Sequence, residues 1–445
     1  MKVSVVGTGY VGLITAVGLA DVGHNVICVG RNQEKINKVN QGIAPIYEKN
    51  LKGLLHKHIG TKLSATTSLD EAIAATDITL IAVGTPFDGC HIDLHDIEEV
   101  SRQIGRALAS KNSYHLVVVK STVVPGTTDN CVLPLLEKFS GKKAGEQFGV
   151  GMNPEFLREG NALEDIMFPD RIVLGGIDKK SLRVLTKLYE PFGDVDIIQT
   201  NTKTAEMIKY AANSFLATTI SFSNEIGNLC ATIPDVDVVD VMKGVHLDKR
   251  LCPILPNGKR IVPQLTTYLG AGCGFGGSCF PKDVKALISY ADQRGYEMRL
   301  LKSVMTINAE QPQQILSLLR KYFSSLEGKR IAVLGLAFKP DTDDMRESPA
   351  IPIVNALLKE KAIIQAYDPI AIGTAKKIFK NDTIRYQDNF SCAIKGSDAV
   401  IVLTSWNEFK TVPQALSTIK PAPLLIDGRR FLNKSKIARY AGIGL

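Results

Sequence analysis

The sequence lacks any apolar run long enough to cross a membrane, and it lacks a continuous run of lysine and arginine. A spanning helix needs about 20 apolar residues in succession, and nucleic-acid-binding tails are blocks of basic residues. The N-terminal residues 1–7 lead directly into a strand and a glycine loop, so we expect no signal peptide and a cytoplasmic protein. We therefore expect neither a membrane nor a nucleic acid as partner.

Metal-binding and redox motifs are also missing. No two of the eight cysteines have the C-x-x-C spacing of a zinc site or a redox pair. His91 and His95 stand without a third ligand, so no metal is expected. In a reducing compartment the cysteines are free thiols.

Length and composition are those of a globular protein. With 45% hydrophobic and 22% charged residues, the chain is neither disordered nor fibrous. Its 445 residues exceed what one hydrophobic core supports, which predicts two or three domains. The formal net charge of +8 suits an anionic small ligand, although a solvated surface explains it nearly as well.

A glycine loop follows the first predicted strand. Gly7, Gly9 and Gly12 have the G-x-G-x-x-G spacing, and a helical pattern and a second apolar run at 25–29 follow them. In this order Gly7 makes a tight turn, Gly9 lets the backbone approach a pyrophosphate, and Gly12 lets the helix pack on the strand. The pattern predicts a dinucleotide-binding domain; a glycine-rich turn in another α/β protein is the alternative.

The second strand does not end in the acidic residue that normally holds the ribose of NAD. Gly30-Arg31-Asn32 stands there instead. Arg31 could bind the extra phosphate of NADP, or it could stack on the adenine while Asn32 takes the ribose. We expect NAD, with NADP as the alternative.

Two further predicted strands, at 78–83 and 116–120, end in polar turns that contain Thr85 and Thr122. Ligands of open parallel sheets bind at the carboxyl ends of strands, so both threonines should face the nicotinamide half of the cofactor. Turn or helix-cap chemistry is the alternative role.

Two carboxylates, Glu155 and Glu159, are four residues apart. On a helix this spacing places both on one face, where like charges repel. They are either a solvated surface pair or a site that holds or activates water.

Residues 202–231 carry the longest helical pattern in the chain. Lys209 and Asn213 are spaced i, i+4 and project together from an apolar stretch. A lysine in such a stretch is costly to bury without a task, which favours a site.

One cysteine stands in the glycine-rich stretch 274–283. Cys279 precedes Pro281 and Lys282, where a helix is predicted to begin. A helix N-terminus and an ammonium both favour the thiolate, so we interpret Cys279 as a nucleophile. A small buried hydrophobic residue is the alternative.

A second α/β half is predicted from strands at 329–334, 363–367, 399–403 and 424–427. Its first loop lacks the full G-x-G-x-x-G, so we expect it to bind something other than a second dinucleotide. Lys339, Arg346 and Arg429 place cations in its loops.

Together these stretches resemble the UDP-glucose/GDP-mannose dehydrogenase family, and the resemblance covers the whole chain. Seven ordered motifs carry it, at 7–12, 83–86, 120–122, 153–159, 206–213, 274–283 and 335–347. It implies an α/β fold with two doubly wound, Rossmann-like domains joined by a long central helical segment. The implied domains are residues 1–200 for NAD(P), 201–310 for dimerisation with the catalytic Lys and Cys, and 311–445 for the UDP-sugar. A homodimer or higher homo-oligomer is implied.

The resemblance also implies residue roles. The implied catalytic residues are Cys279 as nucleophile, Lys209, Asn213 and Asp283 as its neighbours, and Thr122 and Glu155 for water. The implied cofactor contacts, with the glycine loop, are Gly7, Gly9, Val11, Gly12, Arg31, Lys35, Thr85, Thr122, Glu159, Lys282 and Arg346. The implied substrate contacts are Glu155, Phe156, Leu157, Arg158, Glu159, Lys209, Asn213, Arg250, Tyr268, Leu269, Gly270, Ala271, Gly272, Gly276 and Lys339.

The implied activity is an NAD-dependent oxidation, in two steps, of the C6 alcohol of a sugar nucleotide to the carboxylate, through a thiohemiacetal and a thioester on Cys279. UDP-glucose is the expected substrate and GDP-mannose the alternative. A catalytically silent sugar-nucleotide-binding protein and a one-step hydroxyacid dehydrogenase are hypotheses from other classes. Residues 251–267 look longer than the family's usual spacer after Arg250, a residue that in the family can reach a neighbouring subunit's site.

Overall fold

A computed structural model of the chain describes residues 1–445. The chain folds into two compact units, Met1–Ala212 and Asn213–Leu445, and each contains one β-sheet with helices on its faces. This confirms the predicted fold class of two doubly wound α/β halves with a long helical segment. The predicted domain boundaries at 200 and 310 stay a prediction. None of the helices has both the length and the apolar character needed to cross a membrane.

The first unit contains eight strands. They are β1 (Lys2–Val6), β2 (Asn25–Val29), β3 (Leu63–Thr66), β4 (Ile78–Ile81), β5 (His115–Val119), β6 (Phe148–Met152), β7 (Ile172–Gly176) and β8 (Ile197–Thr200). The sheet order is β3-β2-β1-β4-β5-β6-β7-β8, and every pair is parallel except β6 with β7. Loops at the carboxyl ends of β1 and β4 therefore meet where the strand order reverses, which is the ligand crevice of such sheets.

Helices cover both faces of this sheet. They are α1 (Tyr10–Asp21), α2 (Gln33–Asn40), α3 (Leu51–His58), α4 (Leu69–Ala75), α5 (His95–Ala109), α6 (Leu133–Ser140), α7 (Ala162–Met167) and α8 (Lys179–Tyr189). Strand residues alternate between two cores: Leu116 and Val118 of β5 face one, and Val117 and Val119 face the other.

The longest helix, α9 (Thr202–Cys230), begins in the first unit and continues into the second. Its first turns are fixed by the buried Glu206, whose carboxylate accepts the N–H of Gly126 at 2.5 Å and both the N–H and the hydroxyl of Thr128, at 2.8 and 2.7 Å. A buried carboxylate with three donors determines the position of this helix in the first unit.

The second unit contains helices α10 (Val238–His246), α11 (Phe280–Asp292), α12 (Arg299–Arg320), α13 (Ala350–Lys359), α14 (Ile372–Phe379), α15 (Phe390–Ile394) and α16 (Val412–Ser417). Its strands are β9 (Arg330–Leu334), β10 (Ile363–Tyr367), β11 (Arg385–Tyr386), β12 (Ala399–Val402), β13 (Leu424–Asp427) and β14 (Tyr440–Gly442). All are parallel, in the order β11-β10-β9-β12-β13-β14.

In the first loop of this second sheet, backbone amides already donate hydrogen bonds to a carboxylate of the same chain. Asp368, buried after β10, accepts the N–H groups of Leu336 at 2.7 Å and Ala337 at 3.1 Å, and the indole N–H of Trp406 at 3.2 Å. These are the loop amides that a dinucleotide pyrophosphate would use in a Rossmann half. The arrangement supports the expectation that this half does not hold a second dinucleotide.

A buried histidine joins β5 to β4. The Thr76 carbonyl can only accept, so Nδ1 of His115 donates to it at 3.1 Å, and Nε2 accepts the Thr79 hydroxyl at 2.7 Å. Burial lowers the pKa of His115 to about 3. The ring is therefore neutral in the folded protein at neutral pH.

Because of His115, the free energy of unfolding should decrease in acid solution. Between pH 6.5 and 3 the unfolded chain binds a proton at His115 that the folded chain excludes, so stability falls as pH falls, by at most about 1.4 kcal/mol per pH unit. His115→Gln should weaken this dependence in denaturant unfolding between pH 4.5 and 6.5. The exposed His91→Gln is the control, and an unchanged slope in His115→Gln would contradict the assignment.

Candidate active site

The glycine loop has the geometry that a dinucleotide needs. Gly7 has φ +121°, and a Cβ there would overlap the carbonyl oxygen of Ala82 after β4. A Cβ on Gly12 would overlap the Gly7 carbonyl, whereas one on Gly9 would meet only open space. Gly9 caps α1 with no side chain, so the first amides of the helix, including that of Val11, face this space. The residues present fit a bound pyrophosphate.

Arg31, at the end of β2, is held by a neighbour on the first turn of α5. Its two terminal nitrogens lie 2.9 and 3.1 Å from the two carboxylate oxygens of Asp96. Asn32 caps α2 by accepting the N–H of Lys35 at 2.9 Å, so its side-chain oxygen is used in the cap. Asp96 therefore offsets the charge of Arg31, the residue that would meet the extra phosphate of NADP.

The two predicted threonines meet at the ends of β4 and β5. The Thr85 hydroxyl donates to the carbonyl oxygen of Thr122 at 2.7 Å. The bond joins two loops at the crevice edge, as the turn alternative expected. A cofactor role for both residues stays a prediction.

Glu155 and Glu159 do not share one face of a helix, the arrangement in which their four-residue spacing would bring them together. Residues 153–161 form an irregular loop between β6 and α7. The segment contains no helical turn, and Gly160 at its end has φ +84°, outside the helical region. Glu155 is buried and Glu159 is only partly buried, so the two carboxylates have different environments.

This loop is held by partners that the sequence did not reveal. Glu48 accepts the N–H groups of Gly160 and Ala162, each at 2.8 Å, and the hydroxyl of Tyr10 from the glycine loop. Arg158 pairs with Asp165 at 2.5 Å. The loop after β6 is therefore tied to the cofactor loop by one carboxylate.

The central feature of the first unit is a buried ion pair. Lys209 Nζ lies 3.0 Å from Glu155 Oε1, and the two side chains are 4% and 6% exposed. Glu155 Oε2 accepts the N–H of Leu157 at 2.7 Å, and the Lys209 ammonium lies 5.5 Å from the centre of the Phe156 ring. Against burial, which alone would raise it, Lys209 and the Leu157 amide hold the pKa of Glu155 below its usual range.

A second buried lysine lies at the end of β5. Lys120 Nζ donates to Oδ1 of Asn153 at 2.9 Å, and the Tyr189 hydroxyl donates to the same oxygen. Lys120 and Asn153 lie within the family motifs at 120–122 and 153–159, but no role was predicted for either residue. The signal was present, because a lysine that directly follows an apolar strand has the same problem of burial as Lys209.

In the second unit, Cys279 caps the N-terminus of α11 with Pro281 in the first turn, as predicted. The thiol is half-buried, and the Ser278 hydroxyl lies 3.6 Å from Sγ. Such a helix end favours a thiolate over a thiol.

One turn into α11 lies the buried Asp283. Its N–H donates to the Cys279 carbonyl at 2.8 Å, and its carboxylate accepts the Asn213 amide at 2.6 Å. Lys282 Nζ lies 2.7 Å from the other carboxylate oxygen. The structure therefore brings Asn213 of α9 together with Asp283 and Lys282 of α11, the helix that Cys279 caps.

The glycines before Cys279 are required by close backbone contact. A Cβ on Gly276 would overlap the Glu347 carbonyl, and Gly277, with φ +85°, presses on the Phe338 ring and donates to the Arg346 carbonyl at 2.8 Å. The stretch thus packs against the loop that carries Lys339 and Arg346.

The other predicted substrate residues lie around this stretch. The Gly272 N–H donates to Asn224 at 2.8 Å, Leu269 and Ala271 are buried, and the Tyr268 ring lies 6.2 Å from that of Phe280. Gly270 has open space around its Cα.

Two arginines have partners of their own. Arg429 donates to the carbonyls of Leu403 at 2.6 Å and Gly274 at 2.8 Å, so it supports the glycine stretch from below. Arg250 is exposed and forms a bidentate pair with Asp248, 2.6 Å at its shortest. Its role in binding substrate stays a prediction.

Comparison with known proteins identifies the family. The sequence matches, in order, the NAD binding domain (residues 1–193), the central domain (residues 203–310) and the UDP binding domain (residues 332–434) of one family. The chain belongs to the UDP-glucose/GDP-mannose dehydrogenase family.

Similar proteins span the whole chain. A UDP-glucose 6-dehydrogenase of Haloferax volcanii is 40% identical over 448 residues and is matched along 100% of both chains. Another, of Bacillus subtilis, is 41% identical over 96% of this chain and 93% of its own. The solved structure of a UDP-glucose dehydrogenase from Pyrobaculum islandicum superposes with a TM-score of 0.89 at 38% identity, covering 99% of this chain and 97% of that one.

This membership confirms three predictions. The chain is an oxidoreductase of the UDP-glucose/GDP-mannose dehydrogenase family, its first unit carries the NAD-binding domain, and NAD is its cofactor. The individual roles of the site residues stay predictions.

The buried ion pair predicts a specific pattern in stability. Glu155→Gln leaves two buried lysines without a counter-ion and should destabilise the protein by about 3 to 5 kcal/mol. Lys209→Met should cost less, because Lys120 still faces Glu155. The double variant should cost less than the sum of the two.

Denaturant unfolding of the full chain measures this cycle. Lys203→Met, an exposed lysine on the first turn of the same helix, should change stability by less than about 1 kcal/mol. Strict additivity of Glu155→Gln and Lys209→Met would contradict an energetically coupled pair.

Proposed function

We propose that the protein oxidises the C6 alcohol of UDP-glucose to the carboxylate in two steps at one site. The observation that carries the proposal is Cys279 at the N-terminus of α11, beside a buried Asp283 that binds Asn213 and Lys282. The relatives named UDP-glucose 6-dehydrogenase, about 40% identical along the whole chain, support the substrate.

The chemistry explains why a thiol is needed. Bound NAD supplies a hydride acceptor for each oxidation. The alcohol can lose hydride from C6 directly once its proton is removed, but an aldehyde would have to form an acyl cation. Addition of the Cys279 thiolate to the aldehyde forms a C–S bond and a tetrahedral alkoxide, which releases hydride readily and becomes a thioester. Water then cleaves the C–S bond, which yields the acid and returns the thiol.

The remaining residues have roles that match their charges. Lys209 and Asn213 lie one turn apart on α9, and both donate hydrogen bonds, so they suit a developing alkoxide. Such a donor is typically worth about 3 to 4 kcal/mol in the transition state. Glu155 and Thr122 would place or activate the water, and Glu155 suits this task because it stays ionised in spite of burial.

The stoichiometry tests the proposal. The wild-type protein should release two NADH for each UDP-glucose consumed. Cys279→Ser should lower formation of the acid by more than about a hundredfold, because a serine hydroxyl is a far weaker nucleophile at neutral pH. The measurement is NADH absorbance together with product analysis, with Cys392→Ser, an exposed cysteine of the same unit, as control.

Each alternative gives a different result. If UDP-glucose gives no NADH, the chain is a sugar-nucleotide-binding protein. If one NADH is formed per substrate and activity survives alkylation of the thiol, the chain is a one-step dehydrogenase. Faster turnover of GDP-mannose than of UDP-glucose would make GDP-mannose the substrate. Normal acid production by Cys279→Ser would contradict the nucleophile.

We further propose a homodimer through α9. Phe215, Phe222 and Leu229 are exposed at seven-residue intervals, so they form one apolar stripe along the helix. Light scattering should give a mass about twice that of one chain, and Phe222→Glu should shift it towards the monomer. A monomeric wild-type protein would contradict the proposal.

A further inference from the structure

The buried lysine at the end of β5 is not used in the mechanism above. Lys120 is 5% exposed, and its backbone N–H donates to the Ile81 carbonyl at 2.9 Å, which fixes its Cα beside the end of β4. Burying an ammonium costs several kcal/mol unless opposite charge lies close by. A lysine in this place therefore needs a partner.

The direct partner of Lys120 is neutral. Its ammonium donates to Oδ1 of Asn153, whose Nδ2 donates to the Val173 carbonyl at 2.9 Å. The Tyr189 hydroxyl donates to the same Oδ1. Hydrogen bonds at both its oxygen and its nitrogen fix the Asn153 amide, and the amide in turn orients Lys120 Nζ. The amide carries no charge, so it does not balance the charge of the ammonium.

The balancing charge comes from Glu155. The loop that begins at Asn153 places the Glu155 carboxylate two residues further on, and this carboxylate interacts electrostatically with both Lys120 and Lys209. Two lysines and one glutamate leave the buried group with one excess positive charge. Other charged groups line the same cavity: Asp165, which is paired with Arg158, and Asp170 and Arg171, of which Arg171 stacks 3.9 Å over the Phe156 ring.

We propose that Lys120 is a positioning residue whose charge, together with that of Lys209, keeps Glu155 ionised and leaves the site electropositive for the sugar oxygen that becomes an alkoxide. The inference rests on the proposed function, since that function assigns Glu155 to the water and Lys209 to the alkoxide. Lys120 acts through Glu155 and the local potential, without touching the reacting atoms.

The directions in which burial and charge shift the pKa values of Lys120 and Glu155 agree with this arrangement. Burial lowers the pKa of Lys120 to about 8, although Glu155 opposes that effect. Lys209 holds the pKa of Glu155 down most strongly, then the Leu157 amide, with Lys120 contributing in the same direction. Because a lysine with a lowered pKa loses its proton when the pH rises, the site should lose its excess charge in mildly alkaline solution.

Two variants separate charge from packing. Lys120→Met removes the charge and keeps a long apolar chain, and Lys120→Arg keeps the charge at every accessible pH. In Lys120→Met the acid limb of kcat should move to higher pH, because Glu155 then protonates more easily. At its optimum kcat should fall about tenfold, with little change in KM, since the charge stabilises the transition state. Lys120→Arg should keep the acid limb of the wild type and lose any decline above pH 8.

A second readout does not depend on turnover. The carboxylic acid band of Glu155, taken from the infrared difference between the wild type and Glu155→Gln, reports its protonation during a pH titration without substrate. Its midpoint should move to higher pH in Lys120→Met and should not move in Lys120→Arg. Circular dichroism confirms that each variant is folded.

The outcomes are distinguishable. An unmoved infrared midpoint in folded Lys120→Met overturns the inference, whatever the activity. A shifted midpoint in a protein that makes no acid from UDP-glucose supports the charge arrangement and contradicts the proposed function. An acid limb that moves equally in Lys120→Met and Lys120→Arg would indicate a role in packing and would also overturn the inference.

Discussion

The candidate site in the first unit depends on one interaction, the ion pair between the buried Lys209 and Glu155. Lys209 and Glu155 can stay charged only if their atoms remain about 3 Å apart, because either charge alone would cost several kcal/mol. The helix that carries Lys209 is accordingly fixed by Glu206, and the loop that carries Glu155 is fixed by Glu48. Rigid supports of this kind are what a preorganised electrostatic site requires.

In the second unit, close packing of the backbone holds the candidate site in place. Cys279 is the N-cap residue of α11, so the position of its thiol depends on how the preceding chain packs. Gly276 and Gly277 allow that chain to lie directly on the loop near Phe338, and Arg429 supports it from its other side. Buried Asp283 then gives Asn213 and Lys282 a common anchor.

Much of the fold was predictable because local patterns specify it. Strands such as Asn25–Val29, the long helix at 202–231 and the helix start beside Cys279 follow from apolar periodicity and from glycine and proline positions. The spacing of Glu155 and Glu159 did not indicate a helix, because two polar residues four apart are not by themselves a helical pattern. Lys120, Glu48 and Glu206 were missed because the burial of a polar residue depends on partners far away in sequence. Family resemblance supplied residue roles that no local pattern contains.

The covalent step on Cys279 is central to the proposed mechanism, and direct detection of the intermediate tests it best. Turnover of UDP-glucose with NAD is stopped by acid after milliseconds to seconds. The protein is then digested, and tandem mass spectrometry assigns the modified residue. We expect a hydroxylamine-sensitive sugar-nucleotide adduct on Cys279, with none on the fully buried Cys273 six residues before it. Full conversion to the acid with no adduct at Cys279 at any time, or an adduct on a different cysteine, would contradict it.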